Sequence, residues 1–130
     1  MIKEFVPYNL AIELKELGFD EPCFTSYNKK GELANWFEDC EDGEVLNVFE
    51  NDEYCTAPLY QQTFKFFREK YNLEGIPQRA EERAWYKFWI YELYEDCKIM
   101  ISTEMQLNTY EEAELACIEK LIEIVKQNKL

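Results

Sequence analysis

The stretch NTYEEAELACIEKLIEIVK, residues 108–126, carries the strongest helix pattern in the chain and sets the fold class. Thr109 and Glu112 match a capping box, in which each side chain accepts a hydrogen bond from a backbone N–H that the helix start leaves unpaired. At 100° per residue, one broad arc of this helix carries Tyr110, Ala113, Cys117, Ile118, Leu121, Ile122, Ile124 and Val125. An apolar arc of this width needs a broad partner, so we expect the helix to lie against a β-sheet.

Two further helices are predicted upstream. The first has Pro7 in its first turn and ends at Gly18, where Phe19 completes a Schellman motif over Leu14. The second is predicted to open at Thr56 and Pro58. Its apolar side, residues 59–71, is almost wholly aromatic, and a stripe of this kind at helical spacing is typical of core.

Five strands are predicted between the helices. Residues 22–27, 32–40 and 45–49 suit a three-stranded meander whose second turn is Asp42-Gly43. Residues 72–83 contain Gly75 and Pro77 and are predicted to be a loop. Residues 85–94 are apolar on both faces, which indicates a central strand, and residues 97–105 form the last strand.

The predicted fold is therefore a single α+β domain over residues 1–130, with the element order αβββαββα. It has one antiparallel sheet of about five strands, with three helices packed mainly on one face. The two-sided apolar strand at residues 85–94 implies that the second face of the sheet is also covered, and a second copy of the chain would suit this role.

The charge of the chain limits its partners. Its 130 residues include 27 acidic and 14 basic side chains, for a net charge of −13. A field of this sign repels nucleic-acid backbones, so direct binding to DNA or RNA is not expected. Binding to a basic protein surface and imitation of a nucleic acid both stay open, although high solubility is the simpler explanation of the acidity.

The sequence does not contain a recognisable reaction centre. Histidine is absent, which removes the commonest general base and metal ligand and excludes Cys–His and Ser–His pairs. The five cysteines are widely spaced and form no C-x-x-C pair. In the acidic stretch at residues 38–53, Cys40 and Phe49 fall at ligand positions of a calcium-binding loop and break its pattern. We expect no catalytic residues, no metal and no cofactor.

Positive charge concentrates in one segment beside several aromatic residues. The candidate ligand or partner surface there consists of Arg68, Arg79, Arg83, Lys87 and Trp85. Arginine and aromatic side chains together can hold a small anionic or nucleotide-like ligand by charge-assisted hydrogen bonds and stacking. Ion pairing with the chain's own carboxylates would explain the same residues without a ligand.

Three segments resemble a known family. TAPLYQQTFKFFREKYNL (56–73), TYEEAELACIEKLIEIVK (109–126) and LKELGFDEPCF (14–24) are similar to small uncharacterised proteins of Bacteroidota and their phages and prophages. Residues 38–53 do not belong to this pattern. The resemblance implies a phage or mobile-element context and carries over no functional residues.

Two functional hypotheses follow. The first is a non-enzymatic accessory protein that binds a host or phage protein, with imitation of nucleic acid as a more pointed variant. The second is a module that sequesters a small anionic ligand or nucleotide through the basic segment. No run of about 18 apolar residues suits a membrane span, and the N-terminal stretch lacks a signal-peptide pattern. We therefore expect a cytoplasmic protein of the bacterial host cell.

Overall fold

A computed structural model of the chain describes residues 4–33, 55–80, 84–92, 98–102 and 106–128, with the backbone alone at 98–102. These residues form three helices and five strands. In chain order they are α1 (Tyr8–Glu16), β1 (Ser26–Tyr27), β2 (Cys55–Thr56), α2 (Tyr60–Tyr71), β3 (Leu73–Arg79), β4 (Tyr86–Glu92), β5 (Lys98–Ser102) and α3 (Tyr110–Asn128). The predicted α+β class is confirmed.

The strands belong to two antiparallel sheets, so the prediction of one sheet of about five strands is wrong for the described residues. β1 pairs with β2, and β3, β4 and β5 form a second sheet in that order. The described elements run αββαβββα instead of αβββαββα. The predicted Asp42-Gly43 turn, the strand at 45–49 and most of the strand at 32–40 lie outside the described residues.

The chain divides into two compact units, Met1–Tyr60 and Gln61–Leu130. The boundary falls after the first residue of α2. The single domain over residues 1–130 stays a prediction.

In the first unit, α1 ends in the predicted Schellman motif. Gly18 has a φ of 99°, the left-handed conformation that glycine adopts without steric cost. The Phe19 N–H donates to the Leu14 carbonyl at 2.9 Å, and the Gly18 N–H donates to the Lys15 carbonyl at 3.1 Å. These two bonds pair backbone groups that the helix end would otherwise leave unsatisfied.

Extended pairing replaces the predicted start of the second helix. Thr56 lies opposite Ser26 in the β1–β2 pair, and the Val6 N–H donates to the Pro58 carbonyl at 2.8 Å. Because these backbone groups bond to neighbouring chain, the helix begins only at Tyr60. The buried cluster of this unit comprises Phe5, Ala11, Tyr27, Cys55 and Ala57.

In the second unit, the predicted loop contains strand β3. It pairs with β4 in unbroken register from Leu73 opposite Glu92 to Arg79 opposite Tyr86. The Ala80 N–H donates to the Trp85 carbonyl, which makes this a hydrogen-bonded pair. Hydrogen-bonded and non-hydrogen-bonded pairs alternate along an antiparallel ladder from this pair onward. Pro77, opposite Phe88, is in a non-hydrogen-bonded pair. Its nitrogen therefore points away from β4 toward the outer edge of the sheet, where the missing N–H costs no hydrogen bond.

Helix α3 packs on β3 and β4 and buries the arc that its sequence predicts. Its buried residues are Ala113, Cys117, Ile118, Leu121, Ile122, Ile124 and Val125. Tyr110 departs from the prediction, since it lies on the same arc but is 43% exposed. The aromatic stripe of α2 is core as predicted, with Phe64, Phe66 and Phe67 buried.

The helices in the described part of the chain include none with the length and apolar character of a membrane span.

Candidate partner-binding surface

The two faces of the three-stranded sheet differ in burial. On one face Phe88 and Ile90 of β4 are 3% and 0% exposed, and Gly75 of β3 lies beneath Cys117 of α3. Side chains alternate along a strand, so Lys87, Trp89 and Tyr91 of β4 lie on the opposite face. All three are only half-buried.

Strand β3 supplies the neighbours of these side chains. Ile76 lies opposite Trp89, Glu74 opposite Tyr91 and Gln78 opposite Lys87. These three are also half-buried. Because residues opposite each other on one face have β-carbons about 5 Å apart, the six side chains form one continuous patch. We call this patch, Glu74, Ile76, Gln78, Lys87, Trp89 and Tyr91, the Trp89 face.

Lysine and tryptophan are in direct contact on this face. The Lys87 ammonium nitrogen lies 4.8 Å from the centroid of the Trp89 ring, within the range of a cation–π interaction. At such exposed positions the interaction contributes about 0.5–1 kcal/mol. The contact favours this orientation of the indole on the face.

The structure brings together only part of the candidate surface that the sequence predicts. Lys87 lies on the Trp89 face, and Trp85 directly precedes β4, where its alternation with Lys87 places it on the same side. Arg79 is paired with Tyr86 and therefore lies on the opposite face. Arg68 is a half-buried residue of α2, and Arg83 lies outside the described residues.

Sequence reasoning missed half of this face. Ile76, Glu74 and Gln78 fall in the segment that was predicted to be a loop, because Gly75 and Pro77 are turn signals. The sequence pattern places Trp89 and Tyr91 on a strand but does not single them out as residues of a site. The alternation of Trp85, Lys87, Trp89 and Tyr91 is the signal that could have found them.

The described cysteines are buried, free thiols. Burial raises the pKa of Cys23 to about 12, although a hydrogen bond with Thr56 opposes the shift. Burial also raises the pKa values of Cys55 and Cys117 above the usual range. Since the thiolate is the nucleophile and the metal ligand, these three groups are poorly reactive near neutral pH.

Within residues 4–33, 55–80, 84–92 and 106–128, no three His, Cys, Asp or Glu side chains lie together as a metal site requires. The acidic stretch at residues 38–53 lies outside the described residues.

Comparison of the chain with protein-family models, with curated proteins and with solved structures finds no match. The resemblance to the Bacteroidota and phage family stays a prediction.

Proposed function

We propose that this protein acts by binding a protein partner through the Trp89 face, without catalysing a reaction, as an accessory protein of a phage or mobile element in a bacterial cytoplasm. The observation that carries the proposal is the half-exposed group of Trp89, Tyr91 and Ile76 on the sheet face opposite α3. Tryptophan and tyrosine are enriched among the residues that dominate binding energy at protein interfaces.

The chemistry of the remaining groups supports a binding role. The chain has no histidine, so general-base catalysis would need a carboxylate or another less common group. The buried thiols of Cys23, Cys55 and Cys117 keep their protons near neutral pH because burial disfavours the thiolate. None of the three is prepared to act as a nucleophile.

The net charge of −13 favours a partner with a basic surface. Opposite charge speeds association and discriminates against acidic competitors. The attraction to a basic surface comes from the net charge of the whole chain. Binding at the Trp89 face itself depends on the apolar and aromatic surface that the contact buries.

Imitation of a nucleic acid is a narrower form of this proposal. It needs carboxylates in a regular row at about 7 Å intervals, the distance between neighbouring phosphates along one strand. On α3, however, the Glu123 carboxylate accepts hydrogen bonds from Lys120 at 3.2 Å and Gln127 at 3.3 Å. The Glu112 carboxylate accepts the Asn108 N–H at 2.9 Å. These two carboxylates of α3 thus bond within the chain, which does not support the imitation.

The alternative function, sequestering a small anionic ligand or nucleotide, needs Arg68, Arg79 and Arg83 to converge on one pocket. Arg79 and Lys87 lie on opposite faces of the sheet, which weakens this alternative. Lys87 and Trp85 are the pair that would still serve it. Titration of the protein with nucleotides, followed by Trp fluorescence, tests it directly, because a stacked base would quench the indole emission.

The proposal is tested by comparing partner binding of the wild type and of a Trp89→Ala, Tyr91→Ala double variant. Partners are captured from bacterial host lysate, purified, and titrated calorimetrically against each variant. We expect the double variant to lose roughly 30-fold or more in affinity, as truncation of central aromatic residues does. Phe24→Ala is the matched control, because Phe24 is also a large exposed aromatic, at 43%, but lies in the other unit.

Equal affinity of the double variant and the wild type for every captured partner would contradict the proposal. Light scattering addresses the version in which the partner is a second copy of the chain. In that version the wild type is a dimer, the double variant is a monomer, and Phe24→Ala stays a dimer.

A further inference from the structure

The two charged residues of the Trp89 face lie at opposite corners of it. The face has two columns, paired across the strands in the order given: Glu74, Ile76 and Gln78 on β3 and Tyr91, Trp89 and Lys87 on β4. Glu74 therefore lies at one corner and Lys87 at the corner diagonally opposite. At about 3.3 Å per residue, the two corners are about 13 Å apart along the strands. The two side chains are too short to meet across this distance in one molecule.

Both charges are available to a partner. The ion pairs among the described residues lie within helices α2 and α3, and they involve neither Glu74 nor Lys87. Lys87 contacts the ring of Trp89, but this interaction is weak at an exposed position. The flexible four-carbon stem of lysine lets the ammonium group turn toward another acceptor. The apolar centre of the face thus lies between an anion at one corner and a cation at the other.

A surface with this arrangement of charge is complementary to itself. Two copies related by a two-fold axis use the same patch, so each contact between them occurs twice. When two copies stack face to face about an axis over the centre of the patch, Lys87 of each copy lies over Glu74 of the other. Ile76 and Trp89 stay near the axis, where each meets its own counterpart. Two ion pairs then flank an apolar centre.

The same arrangement has the geometry of a β-sandwich. The axis that exchanges the two corners lies between the sheets, at right angles to the line that joins the corners. Since the corners are about 13 Å apart along the strands and about 5 Å apart across them, the strands of the two sheets cross at about 40°. Aligned sheets in β-sandwiches cross at about 30°. Two copies can therefore pack much as the sheets of a sandwich do.

We infer that the Trp89 face binds a second copy of this chain about a two-fold axis, with Lys87 of each copy against Glu74 of the other. The inference rests on the proposed function, because it names the protein that this face binds. The net charge of −13 opposes association at long range, but physiological salt screens charges separated by more than about 8 Å. Six side chains make a smaller interface than the about 800 Å² per partner of stable complexes, so we expect a weak dimer that forms above about 100 μM protein.

Charge reversal at the two corners tests this pairing. Lys87→Glu brings two carboxylates together at each corner of the dimer, and Glu74→Lys brings two ammonium groups together there. Each variant alone should dimerise roughly 10-fold more weakly than the wild type, as measured by sedimentation equilibrium in physiological salt. Circular dichroism establishes that both variants are folded.

The two variants should restore dimerisation when they are mixed. One molecule of Lys87→Glu and one of Glu74→Lys place opposite charges at both corners, so an equimolar mixture should sediment as a dimer at concentrations where each variant alone is a monomer. The double variant that carries both reversals should dimerise on its own for the same reason.

Lys65→Glu and Glu119→Lys are the matched controls, because they change the net charge by the same amounts. Both residues are exposed, on α2 and α3. These helices contact the opposite face of the sheet, where Phe64 and Cys117 lie against Gly75. Each control alone should dimerise within about two-fold of the wild type, and mixing the controls should change nothing. Losses as large as those of the corner variants would assign the effect to net charge and overturn the inference.

A wild type that stays monomeric up to about 1 mM would also overturn the inference. So would a mixture of the corner variants that is no more dimeric than either variant alone. If the mixture fails but Trp89→Ala, Tyr91→Ala still loses a partner captured from lysate, the second copy is wrong and the proposed function stands. If that double variant keeps every captured partner and the wild type is a monomer, both proposals are wrong.

Discussion

Gly75 and Cys117 approach each other so closely that a β-carbon added to Gly75 would lie 2.6 Å from the Cys117 sulfur. The same β-carbon would meet Leu121 at 3.0 Å and Phe64 at 3.1 Å. Glycine therefore allows α3 and the Phe64 ring of α2 to pack directly on the backbone of β3. The sulfur is one bond from its own β-carbon, so it has little freedom to move aside.

This contact predicts that Gly75→Ala destabilises the protein by about 1–3 kcal/mol, the usual cost of an extra methyl group in a packed core. Urea denaturation measures the loss as a lower midpoint at unchanged slope. A Gly75→Ala variant as stable as the wild type would show that α3 does not lie this close to β3.

The sulfur can be removed to test the cause. Cys117→Ala alone should be mildly destabilising because it leaves a small cavity. In the background of Cys117→Ala, however, the Gly75→Ala change should cost less than it does in the wild type, because the new methyl group enters that cavity. Strictly additive costs would assign the loss to Leu121, Phe64 or strand propensity instead.

A buried hydrogen bond stabilises the first unit. The Tyr27 hydroxyl donates to the Val6 carbonyl at 2.7 Å, while the Tyr8 hydroxyl donates to the Lys29 carbonyl at 3.3 Å in an exposed position. Tyr27→Phe should cost about 1–2 kcal/mol because it leaves a buried carbonyl unpaired. Tyr8→Phe removes the same atom where water can replace it and should cost less. Thermal unfolding of both variants gives the comparison, and equal costs would contradict this assignment.

The buried thiol of Cys23 makes stability depend on alkaline pH. Its pKa is raised from 9.0 to about 12, so the folded protein holds this proton more tightly than the unfolded chain does. The resulting stabilisation is fully present below about pH 9 and is lost as the pH rises toward 12. Urea unfolding at several pH values should show the free energy of unfolding falling over this range. The fall should be shallower in Cys23→Ala, and an unchanged slope would place the Cys23 sulfur in contact with water.

The start of α3 depends on one hydroxyl. The Thr109 oxygen accepts the Glu112 N–H at 3.1 Å, and the Glu112 carboxylate returns to the Asn108 N–H at 2.9 Å. Thr109→Ala should cost about 1 kcal/mol, and Thr109→Ser, which keeps the oxygen, should restore most of it. Circular dichroism during urea unfolding measures both. Equal losses in the two variants would mean that the methyl group of Thr109, not its oxygen, stabilises the helix start.

Local patterns predicted the helices well. The arc of α3, the Schellman ending at Gly18 and the aromatic core side of α2 depend on neighbours within a few residues, and each is confirmed except for the exposed Tyr110 of the arc. Thr109 and Glu112 also bond as the capping box predicts, except that the carboxylate reaches the Asn108 N–H, one residue before the helix cap.

Long-range pairing could not be read from local patterns. Gly75 and Pro77 indicated a loop, but in β3 the first makes room for α3 and the second occupies a position that needs no donor. Thr56 indicated a helix start, but it pairs with Ser26 across a long stretch of sequence. The Trp89 face was missed for the same reason, since half of it lies on β3.

Pro77 also affects how the chain behaves at high concentration. Its nitrogen faces outward on β3, which is an edge strand of the three-stranded sheet. A strand from another molecule that paired with this edge would lack one hydrogen-bond donor in the middle of β3. Edge-to-edge pairing of molecules, the first step toward fibrils, is therefore disfavoured at this strand.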